Sequence, residues 1–421
     1  MRLRAWLLAI AVTVPVRAFA QTPPPADAAP PPPPPPAVVV TPAPPPTVVV
    51  APPAVPPAPA APPAPSPKFV FGGLVDTYYL YNFTPPSGSN SLQFPQPAFP
   101  VAVGRAFDTN ANSMTLALAK LTMNASLDVV SLQLDMGYGS VGTIINNASD
   151  ANFSAPGSST LQTGNNFLIE QAFGEISLPG NLTLDFGKFT TTAGAEVIEA
   201  NKNWLYSRSL LFNAIPLLHT GVRANLKIND MVTVQASVVN GWNNDPDLNA
   251  WKTIGLSASI TASPTLSIVA TTYFGKEGQP QPNPGATPGD LRFLLDLVAA
   301  LTVNSNFGLN LNIDYIKAYD DVAADYQVGA SLMGRYVLSD HLNVAARGEF
   351  LASHIDATPV GSVTTKQGEV TVMLGIDVGK NFELRPEVRA DFAGKDDGMN
   401  VLEGGTKSDA ITGEIAALTW F

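Results

Sequence analysis

Between Glu369 and Asp391 seven charged residues share one parity. Glu383, Arg385, Glu387, Arg389 and Asp391 alternate with Phe382, Leu384, Pro386, Val388 and Ala390. On the preceding arm Glu369, Thr371, Met373, Gly375 and Asp377 alternate with Val370, Val372, Leu374, Ile376 and Val378. Carboxylates and guanidiniums of mixed sign on one face can set a field across an aqueous space, or pair with one another. A period of two is that of a β-strand, not of a helix. Gly379, Lys380 and Asn381 between the arms supply turn chemistry. Arms of about ten residues match a strand that crosses a bilayer.

Other chemistries find little support. The chain has no cysteine, which removes thiol nucleophiles, disulfides and cysteine metal sites. Its three histidines are His219, His341 and His354, and no G-x-S-x-G motif occurs. His219 opens a strand, His341 sits in a turn, and His354 is read as lying in a loop beside Ser353 and Asp356. Chain neighbours rarely converge as a triad, so catalysis is not expected. Two acidic groups, Asp245 with Asp247 and Asn249, and Asp320 with Asp321 and Asp325, have the oxygen chemistry of a Ca²⁺ or Mg²⁺ site. Neither matches the twelve-residue calcium loop. They read as solvated surface acid, and neither a metal nor a cofactor is expected.

The formal charge of −11 argues against a nucleic-acid partner. Residues 1–20 read as a secretory signal. Arg2 and Arg4 precede the apolar run Trp6–Val16, and Ala18, Phe19 and Ala20 form an A-x-A cleavage site. The run is short and broken by Pro15, which disfavours an uncleaved anchor. Residues 21–67 are about half proline, with alanine and valine making up most of the remainder. Polyproline II is the expected conformation, a disordered but stiff spacer of up to roughly 140 Å. It is either an unspecific linker or a tether in contact with peptidoglycan.

From Lys68 to Phe421 the hairpin unit repeats. Short joints at Pro179–Asn181, Asn229–Asp230, Ser263–Thr265, Asn304–Asn306, Ser339–His341 and Gly379–Asn381 alternate with long loops. The long loops lie at about 83–108, 140–165, 190–218, 241–252, 275–289, 317–325, 351–366 and 392–407. The count is sixteen strands, with fourteen to eighteen allowed because stretches 112–123 and 167–177 alternate poorly. The predicted fold is an all-β transmembrane antiparallel barrel with tight periplasmic turns and long external loops. Aromatic residues near strand ends suggest two interfacial girdles. Tyr79, Tyr81, Tyr138, Phe189, Phe274, Tyr315 and Phe350 lie toward the long loops. Phe307, Tyr336, Phe382, Trp420 and Phe421 lie toward the short turns. Arginine in lipid costs about 2–4 kcal/mol near the midplane, so the charged face of 369–391 must line the lumen. Pro386 lacks a ladder N–H, and a bulge is expected there.

Several stretches resemble the OmpL-like putative β-barrel porin family. They are FGGLVDTYYLYNF (71–83), QAFGEISLPGNLTLDFGKFTTTAGAE (171–196), NKNWLYSRSLLF (201–212) and HTGVRANLKINDMVTVQASVVNGWNN (219–244). The resemblance covers Phe69–Phe421 and leaves the proline-rich segment outside. It implies a channel in the outer membrane of a Gram-negative-type bacterium, passing small solutes or ions. Terminal Phe421 resembles the sorting signal read by the barrel-assembly machinery.

A sixteen-strand barrel encloses water. Arg223, Arg292, Arg335, Arg347, Glu349, Glu383, Arg385, Glu387 and Arg389 are the expected pore-wall residues, with Lys120, Lys227, Asp296 and Glu414 on the same faces. Loop 190–218 is the constriction candidate, through Glu196, Glu199, Lys202 and Arg208. By analogy with the inward-folded third loop of general diffusion porins, Glu196 and Glu199 are expected to face Arg335, Arg347, Arg385 and Arg389. An external loop packed on the rim is the alternative. A structural barrel tethered through the proline-rich segment is the competing role. The expected partners are outer-membrane lipid, the assembly machinery and small solutes, with a homotrimer left open.

Overall fold

The computed structural model describes residues 66–84, 105–147, 166–247, 249–277, 291–318, 326–358, 361–394 and 408–421. The segment read as a signal, nearly all of the proline-rich stretch and Asp320, Asp321 and Asp325 lie outside these residues. Sixteen strands occur among them. The first eight are β1 (Lys68–Asn82), β2 (Met114–Leu127), β3 (Val130–Tyr138), β4 (Phe167–Leu178), β5 (Leu182–Thr190), β6 (Leu218–Lys227), β7 (Val232–Val239) and β8 (Thr253–Ser263). The second eight are β9 (Leu266–Lys276), β10 (Leu291–Thr302), β11 (Phe307–Ala318), β12 (Tyr326–Ser339), β13 (Leu342–Thr358), β14 (Gly361–Asp377), β15 (Phe382–Ala393) and β16 (Asp409–Trp420). Each pairs antiparallel with its sequence neighbours, and β1 closes the barrel on β16. Closure removes every free sheet edge, as a spanning sheet requires.

The short joints carry the conformations their residues favour. Asp128, Gly180, Asn181 and Gly379 have φ of 55°, 83°, 60° and 87°, the left-handed region open to Gly, Asn and Asp. At the seam, Phe421 exchanges backbone hydrogen bonds with Gly73 at 3.1 and 3.2 Å. A Cβ on Gly73 would come 2.3 Å from the Phe421 ring, so a larger residue would displace that ring.

Alternation sorts the two faces as the energetics demand. On β14, Val370 and Val372 are 51% and 49% exposed on the outer face, while Glu369 and Thr371 are fully buried on the inner one. Tyr79, Tyr81, Tyr138, Phe274, Tyr315 and Phe350 are exposed on the outside. Phe189 does not join them. It shares parity with Asp185, points inward, and meets Phe173 edge-on at 6.5 Å.

The weakly alternating stretches have a local cause. Between Asp76 and Thr77 the β1–β2 register skips Ala117, and between Asp135 and Met136 the β3–β4 register skips Glu170. Each is a bulge, and the extra residue flips the parity of the residues beyond it. Pro386, by contrast, has no bulge. Its pairing with Ile415 of β16 is regular, and on the β14 side the ladder omits two pairs without changing register.

Three expected loop boundaries shift. β2 runs on to Leu127, with the turn at Asp128 and Val129. Stretch 351–366 is mostly strand, because β13 and β14 remain paired as far as Thr358 and Gly361, which puts His354 in β13. The loop expected from residue 140 opens with a helix, α1 (Ser140–Asn147), whose Val141 and Ile145 are buried.

The lumen is partly filled by an apolar core. Leu74, Leu80, Leu118, Leu168 and Leu418 of the wall meet Phe107, α1, and Ile198, Tyr206, Phe212 and Leu217 of the third loop. Burying these groups explains why several inward wall positions are leucine.

Candidate functional site

The inner wall has two unlike sectors. Across β13–β16 the inward positions include Arg347, Glu349, Glu369, Asp377, Glu383, Arg385, Glu387, Arg389, Asp391 and Glu414. Across β7–β9 no inward position is charged. There the wall presents Thr233, Gln235, Ser257, Ser259, Ser267 and Thr271, interrupted by Val269, with Ser237, Thr253 and Tyr273 nearer the outer end.

Residues 191–217 between β5 and β6 lie inside the barrel against the charged sector. This segment is first braced on itself. Asn203 bonds both the N–H and the carbonyl of Val197, at 2.9 and 2.8 Å. Arg208 turns back to donate to the carbonyls of Val197, Tyr206 and Ile198. Ser209 caps the short helix α2 (Leu210–Ala214) by accepting from Phe212 N–H at 3.0 Å.

The braced segment then docks through charge-assisted bonds. Arg347 bridges Glu369 of β14 to Glu196, at 2.8 Å, and to the Ser207 carbonyl, also at 2.8 Å. Arg385 donates to the Ala200 carbonyl at 2.8 Å and Arg389 to the Arg208 carbonyl at 2.6 Å. Carboxylates take the N–H groups. Glu387 accepts from Tyr206 and Ser207 at 2.8 and 3.2 Å, and Glu349 accepts from Leu210 at 2.6 Å. The Tyr206 hydroxyl reaches Asp76 of β1 at 2.9 Å. Bonds of this kind are worth roughly 1.5–3 kcal/mol each, and those to loop N–H and carbonyl groups also satisfy backbone that would otherwise be buried unpaired.

Glu196 and Glu199 thus diverge. Glu196 meets Arg347, as anticipated. Glu199 instead lies 2.8 Å from Lys120 of β2, whose ammonium is also 2.8 Å from Asp135 and from Glu170. These three carboxylates cluster closely enough to hold a metal ion, but Lys120 supplies the cation at their centre. Burial works against the ionised form of Glu199, yet Lys120 and Lys202 beside it hold its carboxyl well below the usual carboxylate range. Lys202, also bonded to Glu199, keeps its side chain 60% exposed.

Arg385 and Arg389 pair with Glu383 and Asp391 on their own strand, so Glu387 is left free to bind the loop. Arg223 pairs with Asp185 at 2.8 Å and stacks on Phe189 at 4.2 Å. Arg292 lies 5.1 Å from the Trp242 ring, and Arg335 donates to Asn343 at 3.2 Å.

Sequence reasoning missed Arg105, which bonds Thr412 at 2.7 Å and pairs with Asp108. It also missed Glu170, whose inward aim comes from the bulge. Nothing local marks Arg105, but the broken alternation around residue 170 did mark the second.

The remaining candidate chemistries disperse. Asp245 pairs with Lys188 and Asp247 with Lys252, so they form separate ion pairs. His219 is buried, stacked on Tyr273, with Nδ1 on the Gly241 carbonyl. Ser353 and His354 are adjacent on β13 and so face opposite sides of the sheet. Ser353 accepts from Gln327, and His354 stacks on Tyr326.

Comparison with known proteins completes the picture. The family model described as "Putative beta-barrel porin-2, OmpL-like" matches residues 68–421. Among solved structures, a loop L8 deletion mutant of the outer-membrane protein OmpT of Vibrio cholerae is similar, with a TM-score of 0.54 and 12% identity, over 84% of this chain and 99% of that one. An anion-selective porin from Comamonas acidovorans aligns with a TM-score of 0.54 and 10% identity, over 85% and 100%. The outer-membrane channel DcaP of Acinetobacter baumannii gives 0.52 and 11%, over 84% and 97%. At these identities the likeness is one of fold. No curated protein matches the sequence.

Proposed function

This chain belongs to the OmpL-like beta-barrel porin-2 family, and from that premise we propose that residues 191–217 are the constriction of its channel. The protein is an outer-membrane porin, and the family points to a channel rather than an enzyme. In this reading small hydrophilic solutes or ions diffuse passively through the water that the loop leaves open. Glu196, Glu199 and Arg208 hold the loop in position, and Lys202 is its charge in contact with solvent. Arg347, Glu349, Arg385, Glu387 and Arg389 are the wall residues that bind the loop. Arg223, Arg292, Arg335 and Glu383 belong to the lining.

The observation that carries the reading is the Arg347 guanidinium, buried between Glu369 of the wall and Glu196 of the loop. Single-channel conductance of a variant lacking 195–210 tests it. The conductance should rise, and an unchanged value would remove the loop from the role of constriction.

The same proposal assigns residues 1–20 to export, 21–67 to a periplasmic spacer able to contact peptidoglycan, and Phe421 to recognition by the barrel-assembly machinery. One OmpT structure is of a trimer form, and a homotrimer is the assembly proposed for this barrel. Cross-linking in native membranes tests it, and a single monomer band would count against it.

A further inference from the structure

The charged and neutral sectors differ in what remains for a solute to touch. On β13–β16 the charges are used. Arg347, Arg389, Glu387 and Glu369 are all buried, each bonded to the loop or to another wall residue. On β7–β9, Thr233, Gln235, Ser257, Ser259 and Ser267 point inward and stay partly exposed. Four of them occupy adjoining positions, and Ser267 lies beyond Val269, the inward residue that pairs with Ser259. Gln235 pairs in register with Ser257, and Thr233 with Ser259. Their polar groups already exchange hydrogen bonds along the wall. Gln235 donates to Asn225 at 2.7 Å, and the Ser257 hydroxyl meets that of Thr271 at 3.0 Å. The loop reaches this sector at Tyr273 and Thr271. Thr192 meets the Tyr273 hydroxyl at 3.2 Å, its carbonyl accepts from Thr271 at 3.2 Å, and Ala193 and Ile215 pack with Tyr273.

We infer that the solute path runs along β7–β9 and favours small uncharged polyhydroxylated solutes, such as sugars and polyols, over ions of the same size. This rests on the third loop filling the opposite side. An ion that sheds water against a wall without fixed charge recovers little of the cost. A hydroxyl or carboxamide both donates and accepts, so a neutral polyol can exchange each bond to water for one to the wall. The charges nearest this sector are buried or paired. On the β6 side Arg223 is paired with Asp185 and both are buried, while Lys227 at the periplasmic edge pairs with Asp230. On the β10 side Asp296, in register with Thr271, is fully buried and accepts from Asn312 at 2.7 Å. Lys202 on the loop is the exposed exception.

The test uses the full-length protein in phospholipid vesicles, with swelling rates read for glucose, glucosamine and gluconate. These probes are of similar size and are neutral, cationic and anionic at neutral pH. Glucose should enter several-fold faster than either ion. Gln235→Glu, which keeps the side-chain shape, and Ser257→Asp should each raise glucosamine entry, lower gluconate entry and shift the zero-current potential in a salt gradient toward cations. Two variants at neighbouring positions keep the test open if one fails to fold. Equal rates for the three solutes, or an unmoved zero-current potential in the folded variants, would overturn the inference and leave the porin reading standing. No swelling with any solute would overturn both. An unchanged conductance in the 195–210 deletion, with Gln235→Glu still shifting the potential, would fault the constriction and support the path.

Discussion

The walls β13–β16 and β7–β9 are built on the same two-residue period, yet one is a docking face and the other a lining. On β13–β16 nearly every inward charge has a partner, and many of the partners belong to the third loop. On β7–β9 inward hydroxyls and amides bond mainly to the wall itself. A dense row of charge along a lumen therefore need not be a selectivity device. Buried beside a loop, it is chiefly the means by which the loop is held.

If that contrast is right, removing a charged anchor should cost far more than removing a neutral contact. Arg347→Met leaves Glu369 and Glu196 buried without their cation and should destabilise the folded barrel by about 3–5 kcal/mol. Denaturation in detergent micelles reads this, and a loss of under about 1 kcal/mol would break the contrast. Glu387→Gln should cost about 1.5–3 kcal/mol, since its carboxylate serves the N–H groups of both Tyr206 and Ser207.

Acid provides a third comparison. Glu199 has a depressed carboxyl pKa in the folded protein, so its stabilisation is present above the ordinary carboxylate pKa and is lost as pH falls through the lower folded value. The difference in stability between the protein and its Glu199→Gln variant should therefore hold steady from neutral pH down to about pH 4 and shrink only in stronger acid. A difference that falls away at about pH 5 would mean that Lys120 and Lys202 do not grip Glu199.

On the neutral side, Thr271→Val removes a 3.2 Å bond to the Thr192 carbonyl and a 3.0 Å bond with Ser257, and should cost only about 1–2 kcal/mol by the same denaturation assay. Smallest of all, Lys202→Gln should change stability by less than about 1 kcal/mol, because the side chain is largely in water. It should still move the zero-current potential toward cations, as it removes the loop's solvent-exposed charge.

Much of the fold was legible, and the reasons are local. Strand period, turn chemistry and the cost of arginine in lipid are properties of short stretches. Together they foretold the barrel, the inward face of 369–391 and most of the outer aromatic residues. Phe189 was misread because an aromatic residue at a strand end looks alike on either face, and only counting parity from Asp185 separates them. The bulges at Ala117 and Glu170 registered only as weak alternation. Pro386 looked like a bulge because the missing N–H is visible in sequence, whereas the tolerance of its neighbours is not.

The candidate site was legible as a set of residues and not as a set of partners. The residues of loop 190–218 and the charged wall were both visible, and the meeting of Glu196 with Arg347 was anticipated. That Glu199 would turn to Lys120 was not. Nor was it foreseen that Arg385 and Arg389 would bind carbonyls rather than carboxylates of the loop.

The sequence alone determined which side chains face lipid and which face the interior, because a period of two and the cost of charge in hydrocarbon act residue by residue. The tertiary structure decided which interior charges are spent and which surface is left to water. Those contacts join residues 79 to 185 positions apart, as from Lys120 to Glu199 and from Arg385 to Ala200. Such a pairing is chosen only when the closed barrel brings one loop within reach of many competing partners.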